Sequence, residues 1–417
     1  MSDVAIVGAS IAGCAAATLL ARGGARVTLI ERRPDPAAFK RTCTHLIQAS
    51  ALPTLERLGV LERLHAAGAV PVRPEAWTPW GWISPPDAHP GSARPDLNVR
   101  RETLDPILRE LAGATPGVRM LLGETFERVV YEGGRITGVI VRDRNRRAHT
   151  IRTRMLVGAD GRDSRVAPLV GRGYGGWRHA RSSFWAYFRN VELAARAGRF
   201  RIWFLNPDFA AAFPTDGELT LLACMITRER LPEFRRDLQG NFMSTMKSLP
   251  DSPLLDNAEL ASKFMGKLDM PNVWRPASRG NLALIGDAAL ASDPVMAVGC
   301  GWALQSAEWL AEAVGGAIHC PSELERGLAR YRARHRNTLL PHHFLNCSYS
   351  TGRRFNLIER LMLSAAARDA RMAAHFEAFG SRTITVGQYA SPRTLLDVCM
   401  TNARHRLRAG GPRASHL

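Results

Sequence analysis

Residues 4–31 limit this chain's fold more than any other stretch. Val4-Ala5-Ile6-Val7 reads as a buried parallel strand, and Gly8-Ala9-Ser10-Ile11-Ala12-Gly13 as a glycine-rich turn. An Ala/Leu-rich helix follows from about Ile11 to Arg22, and Arg26 to Glu31 reads as the next strand. Together they form a β-α-β unit. The turn is G-x-S-x-x-G, with Ser10 where a second glycine is usual. Gly8 permits the tight turn, Ser10 lets backbone approach a pyrophosphate, and Gly13 lets helix and strand pack closely. The anion then sits on Ile11 and Ala12 at the helix N-terminus, where free N–H groups and the dipole favour it. Glu31 closes the second strand 23 residues after Gly8, placed to accept hydrogen bonds from a ribose, with Arg32 beside it.

The 417 residues allow two or three domains and a large core, and 23% charged residues exclude wholesale disorder. Net charge is +18, which raises the question of nucleic acid. Only Lys40, Lys247, Lys263 and Lys267 are lysines among the 56 basic residues, and the arginines are scattered along the chain. No nucleic-acid partner is therefore expected. Seven cysteines without a C-x-x-C pair argue against a disulfide framework and a structural zinc site, so no metal is expected. No uncharged run reaches the ~18–20 residues of a membrane span. The early apolar stretch stops at Arg22 without signal-peptide flanks, so a cytoplasmic protein with no integral membrane segment is expected.

Ser50 to Leu64 has helical spacing, residues 69–98 read as an irregular Pro/Trp/Gly-rich excursion, and Arg101 to Leu111 is helical again. Val118 to Val141 resembles strand pairs around Gly133-Gly134. Phe184 to Ile226, aromatic and β-branched, reads as an antiparallel sheet. Leu282 to Ile285 returns to a buried strand, and the chain is mainly helical from Gly301 to about Met400. The expected fold is α/β: a Rossmann-like domain from 1–68, 99–172 and 277–318, and an inserted, mostly antiparallel substrate sheet from 69–98 and 173–276. A helical region at 319–400 and a flexible basic tail at 401–417, carrying Arg404, Arg406 and Arg408, complete it.

Two later motifs narrow the ligand. One is Leu156-Val-Gly-Ala-Asp160-Gly161, continuing to Ser164-Arg165-Val166; the other runs Gly286-Asp287 through Pro294 to Gly299-Cys300-Gly301-Trp302. With the first turn, these resemble the class A (aromatic-hydroxylase-type) FAD-dependent monooxygenases and the related flavin-dependent halogenases, over roughly residues 3–315. The resemblance implies FAD, NAD(P)H as reductant, and oxygen activation through a flavin C4a-hydroperoxide. It implies that Asp287 accepts hydrogen bonds from the ribityl chain, and that Pro294, Gly299, Cys300 and Gly301 pass beside the flavin ring. A helix starting near Gly301 would aim its positive end at the ring edge that gains charge on reduction. Asp160 either contacts the cofactor or caps its own turn. Arg41, and Arg101 in R-x-x-L-x-x-x-L, match arginines that run toward FAD. Leu290 replaces a His frequent in the family, and Cys300 a Gln; the Cys300 side chain reads as packing.

Of the halogenase features, Trp80-Gly-Trp82-Ile-Ser-Pro85 is one residue out of pattern and precedes Arg101, and no Lys lies between Lys40 and Lys247. Monooxygenation by hydroxylation or epoxidation is therefore the leading expectation. A flavin-dependent reductase or dehydrogenase of an isoprenoid-like substrate, a halogenase and a flavin-bound scaffold without turnover are the alternatives. His45 and Gln48 are the polar candidates for catalysis near the ring, His45 as base or orienter of a phenol or as a structural residue. Trp185, Tyr187, Trp203 and Phe213 are candidates for the wall of a small lipophilic or aromatic substrate. The oligomeric state is left open.

Overall fold

The computed structural model describes residues 2–43, 45–87, 94–171, 173 and 178–409. A six-stranded sheet runs in the order Ser278–Arg279, Leu282–Leu284, Met155–Gly158, Val4–Val7, Val27–Glu31, Val118–Leu122. All its pairings but the first are parallel. Both faces of its central strands are covered, so Val4–Val7, Met155–Gly158 and Leu282–Leu284 are continuous apolar runs: Val4, Ala5 and Ile6 have no exposed surface. The Ile11–Arg22 helix covers one face together with Gly299–Val314 and Arg101–Ala114.

The second sheet is built largely from side-chain alternation. Its ten strands include Arg181–Arg189, Leu219–Thr227, Phe209–Thr215, Arg199–Phe204 and Val70–Thr78 in that order. One face, with Phe184, Ala186, Phe188, Trp203 and Cys224, packs on Phe234, Phe242 and Met246 of two helices, Leu231–Arg236 and Leu238–Lys247. The opposite face, with Trp185, Phe213, Leu221, Ala223 and Met225, turns toward the nucleotide-type domain. Period two along each strand assigns every aromatic to one layer or the other.

Several expectations change. Residues 69–98 are not an irregular excursion: they supply Val70–Thr78, Gly81–Ile83 and Asp96–Asn98 to the large sheet. Pro71 and Pro74 lack an N–H, but their fixed φ suits extended chain. The 50–64 helix is two helices, Leu52–Leu58 and Leu61–Ala66, broken at left-handed Gly59. Val118–Leu122 pairs with Val27–Glu31, and the strand pair around Gly133-Gly134 is Thr125–Glu132 with Arg135–Arg142. The final helix runs Pro392–Ala409, so the start of the expected tail is helical, while 410–417 and the Arg408 side chain lie outside the described residues. Asn402 explains the extension: buried, it donates to the Leu361 and Val398 carbonyls and accepts from Ser364. Among the described residues, no helix is long and apolar enough to cross a membrane, and no cluster of metal ligands occurs.

Candidate functional site

A cavity of about 510 Å³ lies between the parallel sheet and the inner face of the large sheet. At one end is the glycine turn. A Cβ at Gly13 would stand 1.8 Å from the Gly8 carbonyl oxygen, and one at Gly8 2.5 Å from that of Ala159. Helix, turn and neighbouring strand thus meet backbone to backbone. Glu31 accepts from the Ala9 N–H at 2.9 Å, and Arg109 donates to the Ala9 carbonyl at 3.0 and 3.2 Å, so the two peptides flanking the Ala9 Cα are both clamped. Ser10 makes no side-chain cap for the helix it precedes, leaving first-turn N–H groups open to an anion.

Arg101 donates to the Ser10 hydroxyl at 2.6 Å and forms a buried, two-point pair with Asp105. Burial opposes its charge, but Asp105 outweighs that and keeps the guanidinium protonated. Glu31 also accepts from the Arg33 N–H, one bond per oxygen, which leaves lone pairs for sugar hydroxyls.

At the centre, Lys40 Nζ lies 2.7 Å from Asp287. Burial pushes the Asp287 carboxyl up, but Lys40, Arg162 and Arg101 together hold it below its ordinary range. Asp287 pushes Lys40 up in turn. The Gly299–Val314 helix opens on the cavity through Val298, Gly299 and Cys300 and carries no side-chain cap. Cys300 Sγ is 3.5 Å from Cys43 Sγ. Among the described residues, four buried polar atoms on the lining have no hydrogen-bond partner: Ser183 Oγ, Trp185 Nε1, Trp302 Nε1 and the acceptor Glu124 Oε2. Unpaired buried polar atoms are costly, so these mark places for a bound molecule's polar groups. An uncapped helix end, a cradle closed to any Cβ, a carboxylate further in and orphaned donors beyond fit an extended flavin dinucleotide.

The sheet end is apolar. Trp185 lies directly across from Ala223 and Ser183 from Met225, so Ser183, Trp185, Leu221, Ala223 and Met225 form one tiled patch. Met270 and the exposed Lys267 complete it at the rim.

Gly8, Ser10, Ile11, Ala12, Glu31, Arg32, Arg101, Asp160, Asp287, Pro294, Gly299, Cys300 and Trp185 line the cavity. Gly13, Arg41 and Gly301 do not. Gly13 serves the helix–strand approach, Arg41 is exposed, and a Cβ at Gly301 would lie 2.6 Å from Gln48 Oε1. Asp160 accepts from Ser164 Oγ and the N–H groups of Arg165 and Val166, so it caps its turn while its edge faces the cavity.

His45 and Gln48 sit behind the wall and not on it. His45 Nδ1 accepts from the Arg101 N–H, its Nε2 pairs with the Tyr187 hydroxyl, and its backbone is left-handed. Gln48 donates to the Ala297 carbonyl. Both therefore brace segments that carry lining residues. Tyr187 is drawn off the patch by His45. Trp203 is wholly buried on the far face of the sheet, donating to the Pro250 carbonyl. Phe213 is on the inner face but one layer back, stacked on Phe200. Trp80 and Trp82 are packing residues: Trp82 meets Trp203 edge-on and donates to Asp251 at 2.6 Å.

Sequence reasoning missed Lys40 as the partner of Asp287, Arg109 as the turn's clamp, and Cys43, Lys267 and Met225 as lining. Period two counted from Trp185 would have found Ser183. The cross-strand members needed the register.

Comparison with known proteins came to the same place. The family model described as "FAD binding domain" matches residues 1–336. Kynurenine 3-monooxygenase of Xanthomonas campestris pv. campestris (strain 8004) is 25% identical over 367 residues, covering 80% of this chain and 75% of the relative. Two solved structures share the fold. PqsL of Pseudomonas aeruginosa, in complex with 2-aminobenzoylacetate, has a TM-score of 0.68 at 22% identity over 92% of this chain and 100% of that one. The myxobacterial chondrochloren halogenase CndH has a TM-score of 0.74 at 19% identity over 92% of this chain and 97% of that one.

Proposed function

The chain belongs to the FAD binding domain family, as a class A FAD-dependent monooxygenase type of enzyme related to halogenases, and from that premise we propose that it inserts one oxygen atom from O2 into a lipophilic or aromatic small molecule at the expense of NAD(P)H. The observation that carries this reading is the two-ended cavity: an anion cradle at the glycine turn, continuous with an apolar patch around Trp185. Bound FAD supplies the passage of electrons from NAD(P)H to O2. The second oxygen atom leaves as water.

The chain's own groups bind, orient and exclude water. The free N–H groups after Ser10 would hold the pyrophosphate, Glu31 the ribose, and Asp287 the ribityl hydroxyls, with Lys40 handing its carboxylate partner over to them. Trp185, Leu221, Ala223 and Met225 would face the substrate and keep water from the reacting atoms. PqsL in its solved complex and kynurenine 3-monooxygenase in its name both concern aromatic amines, which supports an aromatic substrate here.

Halogenation is a second reading, because Lys267 reaches the cavity rim from a segment remote from Lys40. Product formed under 18-O2 separates the readings. Labelled product without added halide is expected. Unlabelled product, or product formed only with chloride or bromide, would replace monooxygenation by reduction or halogenation.

A further inference from the structure

Among groups the reading above leaves unused, one pair stands in the cavity itself. Cys43 and Cys300 belong to segments 257 residues apart, and their sulfurs lie 3.5 Å from each other. Both line the cavity. They are not equivalent. Cys43 lies outside any helix or strand and is partly exposed, whereas Cys300 is 4% exposed in the first turn of a helix.

We propose that Cys43 and Cys300 form a reversible redox site, in which a hydroperoxide oxidises Cys43 and Cys300 resolves it to a disulfide. The geometry prepares Cys43 as the attacking sulfur. It accepts a hydrogen bond from the His45 N–H at 3.2 Å, a donor Cys300 lacks, and shares a sulfur–sulfur hydrogen bond with Cys300. The Cys300 bond foremost, with His45 and Arg101, outweighs burial and holds the Cys43 thiol well below its ordinary range. The same contact pushes Cys300 up, so the resolving sulfur keeps its proton until needed.

The Cys43 thiolate attacks one peroxide oxygen. The O–O bond breaks, sulfur is oxidised to the sulfenic acid, and hydroxide leaves to take the Cys300 proton as water. The Cys300 thiolate then attacks the Cys43 sulfur. The S–O bond breaks, and the departing hydroxide takes up the proton that Cys43 had lost. Two thiols and one hydrogen peroxide thus give one disulfide and two waters. Closing 3.5 Å to a bond of about 2.05 Å asks for roughly 1.5 Å of movement, which the loop side can supply because Cys43 is not held in a helix or strand. Hydrogen peroxide is what an NAD(P)H- and O2-consuming site releases when substrate escapes oxidation. The oxidant class rests on the proposed function to that extent.

The test supplies the oxidant directly, so failure of the redox site and failure of the monooxygenase reading separate. The purified holoenzyme, without NAD(P)H, is treated with hydrogen peroxide, alkylated and mapped by peptide mass. A Cys43–Cys300 cross-linked peptide, lighter by two hydrogens and released by dithiothreitol, is expected. Cys43 should lose its alkylation at least about tenfold faster than the exposed Cys399. In Cys300→Ser, Cys43 should instead be trapped by dimedone as a sulfenic acid, with retained FAD and circular dichroism confirming the fold. Full alkylation of Cys43 and Cys300 after Cys399 has been oxidised would overturn the proposal. So would dimedone labelling of Cys43 in the unsubstituted protein without a cross-link.

Discussion

At the cradle end of the cavity the contacts run through backbone, whereas at the sheet end they run through side chains. Gly8, Gly13 and Ala159 meet by main-chain atoms, and the helix after Ser10 starts without a side-chain cap over its N–H groups. Across the cavity, Trp185, Leu221, Ala223 and Met225 face inward only because strand pairing puts them in step. A backbone site tolerates almost no substitution and is chemically fixed. A side-chain site can be re-tiled without moving a strand, and related folds can therefore share a cofactor and differ in substrate.

The sharpest test of this contrast lies within the sheet, where neighbouring layers should respond differently. Trp203→Ala should cost about 3–5 kcal/mol of unfolding free energy, because it empties a fully buried site. FAD affinity should not change, since Trp203 faces away from the cavity. Trp185→Ala should leave FAD bound but raise peroxide release per NAD(P)H consumed, as water reaches the reacting atoms. Denaturant titration and oxygen-electrode coupling assays read these effects. Equal uncoupling by both variants would mean that the two faces are not functionally distinct.

Next in size is Gly13→Ala. The added carbon would meet a carbonyl oxygen that cannot turn away, an overpacking cost of about 3 kcal/mol and a loss of FAD of a hundredfold or more. Flavin absorbance of the purified variant reports it directly. A variant as yellow as the parent would show that the turn has slack and that the backbone argument is wrong.

A third test concerns the Pro321–Ser350 helix. Burial pushes His335 and His343 down to about 4. Their unfolded value is near 6.5, so between pH 6.5 and 4 the unfolded chain binds protons that the folded chain refuses. Stability contributed by the two neutral rings is complete above pH 6.5 and falls as pH drops through that window, by about 3 kcal/mol each. His335→Gln should flatten about half of this slope in urea melts at stepped pH. An unchanged slope would place the acid sensitivity elsewhere.

The smallest effects compare two acids on the cavity. Asp287→Ala should weaken FAD by roughly ten- to a hundredfold, the worth of charge-assisted hydrogen bonds of ~1.5–3 kcal/mol. Asp160→Ala should weaken it less, because that carboxylate is spent on its own turn. Fluorescence titration of apoprotein ranks them. The reverse order would exchange the two roles.

The cradle was legible because each of its requirements maps to a residue type. A strand, a turn that excludes side chains and an uncapped helix leave a spacing that survives as letters: Gly8, Ser10, Gly13 and Glu31. The later pair, Asp160 and Asp287, was equally visible as acids after short buried strands. The capping by Asp160 is a local hydrogen-bond pattern, and it was among the readings the motif allowed. Residues 69–98 misled because proline and tryptophan density looks like loop, while extended φ and cross-strand partners make it sheet.

The sequence by itself determined the opening β-α-β unit, the dinucleotide cradle and the aromatic richness of the second sheet, because these depend on neighbours within a few residues. Only the tertiary structure decided which aromatics face the cavity. One-residue alternation sends Trp185 inward and Phe184 outward, and nothing local says which face is which. The tertiary structure also decided that His45 is tied to Tyr187 and Arg101, that Lys40 meets Asp287, and that Cys43 meets Cys300. Those pairs join segments tens to hundreds of residues apart, and their distance depends on how two sheets close over one cavity, a property of packing that no spacing along the chain encodes.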